Sequence, residues 1–194
     1  MPKKVDHARR RLDIARVAEG LVYDKGMDGL TMRDVARGMG CSLSVILHYF
    51  ESKLDLLVFT HRLVRHRAEA GLVKALEEGQ PARACFEHLL PLDEQRWRDW
   101  YTWLAFWGMS SQAGEVASEH VAATVESADI FLRIIRHGQA RGEIDTAFDA
   151  AALAIDMQIL CNGLAGLVAQ GREAWPAERQ LAHFRRHYAA LIRR

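Results

Sequence analysis

The stretch TMRDVARGMGCSLSVILHYFESK, residues 31–53, leaves little choice of fold. Thr31 is a helix N-cap residue, and Asp34 follows it at the three-residue spacing of a capping box. Val35, Ala36 and Met39 recur at helical spacing, which directs them to a core. Gly40 then places a residue tolerant of positive φ where that helix must stop. Ser42 is expected to cap a second short helix carrying Leu43, Ser44, Val45, Ile46, Leu47 and His48, closed by Tyr49 and Phe50. Ser52, with Asp55 three residues on, caps a further helix whose first turn holds Lys53. A helix, a Gly-containing turn and a second short helix make a helix-turn-helix, although a plain αα-hairpin has the same outline. In a helix-turn-helix the second helix enters the DNA major groove and the first braces it across the backbone.

The charge distribution agrees with a DNA-binding head. Residues 1–67 carry 13 Lys and Arg against 8 Asp and Glu, a surplus of +5, while the remainder carries 13 against 17, a deficit of −4. A basic head on an acidic body is the electrostatic footprint of a nucleic-acid-binding module, and ordinary surface charge is the bland alternative. Hydrophobic residues make up 49% of the 194 and only 4 are Pro, which favours packed helices over disorder. Cys41, Cys85 and Cys161 lie far apart, without metal-ligand or redox spacing, so a reducing cytoplasm is the expected compartment. The amino terminus is polar and continues into a helix, unlike a signal peptide. The apolar stretch around Tyr101 to Met109 is too short to span a bilayer, so no membrane partner is expected.

Punctuation divides the rest into helices. A first helix runs over about residues 7–25, with Ile14, Val17, Ala18, Leu21 and Val22 on one face and Gly26 as its stop. Before it, Lys3 and Lys4, with Arg9, Arg10 and Arg11 behind them, form either a basic arm along DNA or a solvated tail. The helix beginning at Ser52 continues to about Glu78, a rod of about 40 Å at 1.5 Å per residue. Further helices are expected at about 82–89, 93–109, 112–140, 148–170 and 176–192, marked off by Pro91, Gly114, Gly142, Gly171 and Pro176. No segment alternates as a strand does, so the fold class is all-α.

Thr31, Val35, Ala36, Gly40, Ser42, Tyr49, Phe50, Ser52 and Lys53 resemble the DNA-binding head of TetR/AcrR-type repressors, and Ile14, Ala18, Leu21, Val22 and Gly26 fit the helix before it. The resemblance covers the first quarter to third of the chain. It implies a three-helix head, residues 1–51, on a helical effector-binding and dimerisation body, residues 52–194. Two departures stand out: Ser44 occupies a position where the family often has Gly, and Leu47 one where it usually has a Tyr that touches a phosphate. His48 is a candidate to supply that contact.

Residue chemistry then assigns roles. Leu43 and Val45 can pack on a thymine methyl, and Ser44 can hydrogen-bond any base. The resemblance places Arg33 within reach of a guanine, where a bidentate contact to O6 and N7 suits arginine. Thr31, Ser42, His48, Tyr49 and Lys53 are phosphate candidates, which set register without reading sequence. In the body, Trp97, Trp100, Tyr101, Trp103 and Trp107 crowd one helix. Their rings could cage an organic cation, with Asp99 or Glu119 adding charge, or could simply be core aromatics. WLAFWGMSS resembles BetI-type regulators, the choline-responsive branch, which implies an organic-cation effector. Leu160, Gly163, Leu164, Gly166, Leu167 and Gly171 set small residues among leucines, which suits either an internal core face or the homodimer that the resemblance implies, formed through the last two long helices. His183 and His187 stand at i, i+4 but have no evident third ligand, so no metal or other cofactor is expected. No nucleophile elbow, phosphate loop or dinucleotide fingerprint occurs. The expectation is therefore a dimeric repressor of a palindromic operator, released by a small molecule. A helical small-molecule enzyme and a DNA-binding regulator without effector are the alternatives.

Overall fold

The computed structural model describes the backbone of residues 6–109 and 115–192 and the side chains of 6–108 and 122–192. Readings that rest on Lys3, Lys4, Gly114 and Glu119, and on the end of WLAFWGMSS, lie outside what it describes. Among the described residues the chain forms nine α-helices and no strand. They are α1 His7–Gly29, α2 Met32–Gly38, α3 Leu43–Tyr49, α4 Lys53–Glu77, α5 Ala82–His88, α6 Glu94–Met109, α7 Glu115–Ala140, α8 Ala150–Gln170 and α9 Ala177–Leu191, with a 3-10 turn at Arg172–Ala174. The fold is all-α, in the expected order. Gly26 does not stop α1 but kinks it: at φ 73° and ψ 171° it leaves helical geometry, and one more turn follows to Gly29.

Packing divides the chain into two units, residues 1–66 with 101–120 and residues 67–100 with 121–194. The chain passes from one to the other inside α4, α6 and α7. This division measures packing, and is a different quantity from the motif boundary at 51/52.

In the first unit, the α1 stripe Ile14, Ala18 and Val22 meets Val35 and Ala36 of α2, Ile46 of α3 and Phe50 beyond it. Leu56 and Leu57 of α4 and Phe106 of α6 complete this core. Gly40, at φ 62°, makes the turn between α2 and α3 that a side chain would strain. The guanidinium of Arg11 lies 4.4 Å from the Phe50 ring centre and 4.6 Å from that of Phe59, and is 3.6 Å from Asp55. Arg11 is thus turned to the head's own aromatics rather than to an external partner.

In the second unit, Phe86 of α5 is fully buried, with ring centres at 5.8 Å from Phe131 of α7, 6.4 Å from Phe184 and 6.1 Å from Tyr188 of α9. Polar ties fix the α5 end of this core. Glu143 accepts from the Ala82 N–H at 2.7 Å, and His137 Nε2 donates to the Gln80 carbonyl at 2.9 Å. Burial pushes the Glu87 carboxyl up, but hydrogen bonds and charge from Arg185 and Arg83 outweigh it and hold Glu87 below its ordinary value. By length and composition α8, not the stretch around Tyr101, is the helix apolar enough to cross a membrane. Its Leu153, Ala154, Met157, Cys161 and Leu164 are buried in the unit's own core, and Ala165 and Val168 are buried as well.

One contact in this core has no slack. A Cβ on Gly138 of α7 would come within 2.8 Å of both the Ala82 Cβ and the Ile144 Cδ1. Gly138→Ala is expected to cost about 1–3 kcal/mol by overpacking. Ala82→Gly in the same chain should recover part of the loss, because it removes the methyl group that the new Cβ meets. Thermal unfolding followed by circular dichroism measures both.

Candidate nucleic-acid interface and aromatic stretch

α3 has seven residues, and the burial of one sets the phase of the rest. Ile46 is fully buried, which leaves Ser44, Leu47 and His48 exposed, Leu47 at 47%. Leu43 and Val45 are half-buried and stand outside the head's core cluster, so both keep surface to offer a base. Tyr49 is divided: its ring packs against the core cluster and also meets His48 at 5.1 Å between centres. Arg33 is exposed on α2.

The caps differ from one another. The Thr31 hydroxyl accepts from the Asp34 N–H at 3.1 Å and donates to Asp34 Oδ2 at 2.8 Å, so Thr31 caps α2 as expected. That hydroxyl, against a small effect of burial, and then Lys25 and Arg37, hold the Asp34 carboxyl below its ordinary value. Ser42 sits at the N-cap of α3 with extended backbone but makes no side-chain cap. Its hydroxyl is instead 2.8 Å from that of Ser44, so the expected cap is replaced by an exposed pair of hydroxyls at the start of α3. Ser52 Oγ accepts from the Asp55 N–H at 3.0 Å, as a cap should. Lys53 donates from Nζ to the Asp28 carbonyl at 3.2 Å, tying the start of α4 to the end of α1. An ammonium has three donors, and this bond uses one of them.

The helix pattern gave no sign of one member of this surface. His7, the first residue of α1, places its ring centre 4.7 Å from Tyr49 and 6.0 Å from His48. Periodicity places residues on the faces of one helix; it carries no information that the first turn of α1 meets the last turn of α3.

The aromatic stretch divides between the two packing units after Trp100. In the second unit Trp97 is buried, with the Arg172 guanidinium 5.9 Å from its ring, and Trp100 donates from Nε1 to the Leu89 carbonyl at 2.6 Å. Asp99, a candidate source of negative charge for a cation, is hydrogen-bonded by Arg67, and Gln95 donates to it at 3.1 Å. In the first unit Tyr101 meets Tyr23 edge-on at 5.4 Å, and the buried His61 is stacked at 5.0 Å from Trp103 and 4.1 Å from Phe106. Trp107 is 45% exposed.

The outer face of α8 is apolar and open. Ile155, Ile159 and Leu167 are exposed, and Gly163 and Gly166 have open space where a Cβ would stand. Ile159, Gly163, Gly166 and Leu167 line, with Trp175 and α9, a shallow groove of about 580 Å³. His183 and His187 stand on its rim. Burial, then Arg186, Arg179 and His187, lower the His183 pKa, and its Nδ1 accepts from Arg186 at 3.0 Å. Among the described residues no group of three His, Cys, Asp or Glu is placed to hold a metal ion.

Comparison with known proteins agrees with this architecture. Residues 14–58 match the family described as bacterial regulatory proteins, tetR family, and residues 79–193 match the BetI-type transcriptional repressor C-terminal family. The regulator PksA of Bacillus subtilis is 30% identical over 110 residues, which spans 55% of this chain and 54% of PksA. The regulator BetI of Yersinia pestis is 28% identical over 201 residues, covering 99% of this chain and 92% of BetI. Among solved structures, a candidate transcriptional regulator from Saccharomonospora viridis in complex with choline superposes with a TM-score of 0.80 at 24% identity, over 92% of this chain and 94% of that one. FadR of Bacillus subtilis in complex with stearoyl-CoA superposes at 0.71 with 14% identity, over 94% and 97%. With a head motif and a body that each match, this chain belongs to the TetR family of transcriptional regulators, and its body is of the BetI type.

Proposed function

We propose that this chain represses transcription in the cytoplasm as a homodimer bound to a palindromic operator, and leaves the operator when an organic cation such as choline binds its body. The observation that carries the DNA half is the phase of α3, with Ile46 buried and Ser44, Leu47 and His48 outward beside the Ser42 hydroxyl. Leu43, Ser44, Val45 and Arg33 read bases. Thr31, Ser42, His48, Tyr49 and Lys53 hold phosphates, Lys53 with the donors that Asp28 leaves to it. Arg33→Ala is then expected to relax preference at one base position by about 1–3 kcal/mol. Lys53→Ala should weaken binding to all sequences and reduce the salt slope by about one. Binding titrations over a salt series, on the preferred duplex and on single-base variants of it, separate the two effects.

The open face of α8 is the dimerisation surface. Burying an exposed Ile or Leu there contributes about 1.5–3 kcal/mol each, and the small residues Gly163 and Gly166 let a second helix approach closely. Two heads about 34–36 Å apart suit two half-sites one helical turn apart. Ile159 is 65% exposed in the single chain, so Ile159→Glu should leave the helical content intact. Sedimentation equilibrium should find the variant monomeric, because a lone carboxylate is costly to bury in an apolar interface.

The cation half is supported by the aromatic stretch at residues 97–107 and by the choline bound in the Saccharomonospora viridis protein. The decisive experiment is fluorescence anisotropy on a duplex that the protein itself selects from a random pool, with and without choline. Choline is expected to raise the apparent Kd. Selection of a preferred duplex whose binding choline leaves unchanged would remove choline as the effector and retain the DNA reading. Failure to select any sequence would overturn the repressor.

A further inference from the structure

Three rings from two helices meet on the exposed side of the head. His7 begins α1, and His48 and Tyr49 end α3. Their centres are 4.7 Å apart for His7 and Tyr49, 6.0 Å for His7 and His48, and 5.1 Å for His48 and Tyr49. Both histidines are exposed, and Tyr49 is half-buried. This cluster sits at the opposite end of α3 from the Ser42 and Ser44 hydroxyls.

The surrounding charges are largely committed elsewhere. Asp6 caps α1 by accepting from the Ala8 and Arg9 N–H groups at 3.1 and 3.3 Å. Arg11 lies over Phe50 and Phe59 and is paired with Asp55, and Asp55 also accepts from the Glu51 N–H at 3.1 Å. Arg9 and Arg10 stand farther along α1, and the Glu51 side chain follows α3. Among the described residues of the ring cluster, the two imidazoles are the groups able to gain positive charge.

Neighbouring imidazolium ions repel each other, and an anion lying against both removes the repulsion. Proton uptake and phosphate binding therefore favour each other, and by linkage each does so by the same factor. Imidazole changes charge between pH 5 and 8, so the linkage falls in the range where a repressor works. We propose that His7 is a DNA contact, closing with His48 and Tyr49 on one backbone phosphate of the operator, and that the clamp takes up protons from solvent as it closes. This inference rests on the DNA-binding reading above and adds to it a residue on a different helix and a proton linkage.

The test uses the full chain and a duplex that it selects from a random pool at pH 7.5. Anisotropy titrations at pH 6.0 and 8.0, each over a salt series, compare wild type with His7→Gln, His48→Gln and His7→Lys. Wild type should bind about tenfold tighter at pH 6.0, the ratio expected of one charge-assisted hydrogen bond. Its slope of log affinity against log salt should steepen by about 0.9 for each phosphate newly neutralised. His7→Gln should lose most of that gain and of that steepening. His48→Gln should likewise lose part of the pH response, and His7→Lys, with the charge at position 7 fixed, should bind tighter than wild type at pH 8.0 and keep only the response that His48 carries. A wild type with the same affinity and slope at both pH values, or a His7→Gln variant with the full pH response, would overturn the clamp while leaving the DNA reading in place. If no sequence is selected and no duplex is bound, both fall together.

Discussion

A seven-residue helix has no stability of its own in water, because nucleation costs more than so few hydrogen bonds return. α3 is such a helix, and it exists because Ile46 and Phe50 are buried in the core that α1 provides. The same two side chains decide which residues of α3 face outward. With Ile46 inward, Ser44, Leu47 and His48 are outward, and a shift of one position would bury polar groups and expose the anchor. Phe50 is held in turn by the Arg11 guanidinium over its ring and by Phe59, edge-on at 5.4 Å. Specific readout in this head thus depends on an apolar anchor and a cation that itself faces inward.

Most of the fold was legible because helical periodicity and chain punctuation agree. The bounds of α4, α5 and α8 follow from Ser52, Gly79, Pro81 and Gly171, and the α1 stripe follows from Ile14, Ala18 and Val22. Where the reading failed, a local preference was met by a competitor that one-dimensional pattern cannot weigh. Ser42 has the backbone of a cap, but its hydroxyl pairs with Ser44. Gly26 can stop a helix, yet the next turn is retained because Met27 and Leu30 are buried. His7 was invisible for a different reason: its role comes from a meeting of two helix ends, and no spacing within either helix encodes it.

The aromatic stretch shows how a sequence cluster can dissolve into separate jobs. Trp97, Trp100 and Tyr101 stand at i, i+3 and i+4 on one face of α6, yet each ring has different neighbours. Trp97 is core beneath Arg172, Trp100 ties α6 to the Leu89 carbonyl, and Trp103 covers one side of His61. Each ring that packs in this way has given up some face or edge that a ligand would need. The density of tryptophan therefore overstates the aromatic surface available for recognition.

That surplus loss still leaves the cation reading energetically sufficient. Asp99 is already paired with a guanidinium, which leaves the ring faces as one source of attraction to weigh. A cation over one such face gains about 0.5–2 kcal/mol, according to how far it is desolvated. Allosteric coupling usually amounts to about 1–3 kcal/mol, and only the difference in affinity between the two states contributes to it. One or two ring faces available in the DNA-free state and occluded in the bound state would supply that difference. The requirement is then on the change in those faces between states, and a preformed cage present in both would bind choline tightly and release nothing.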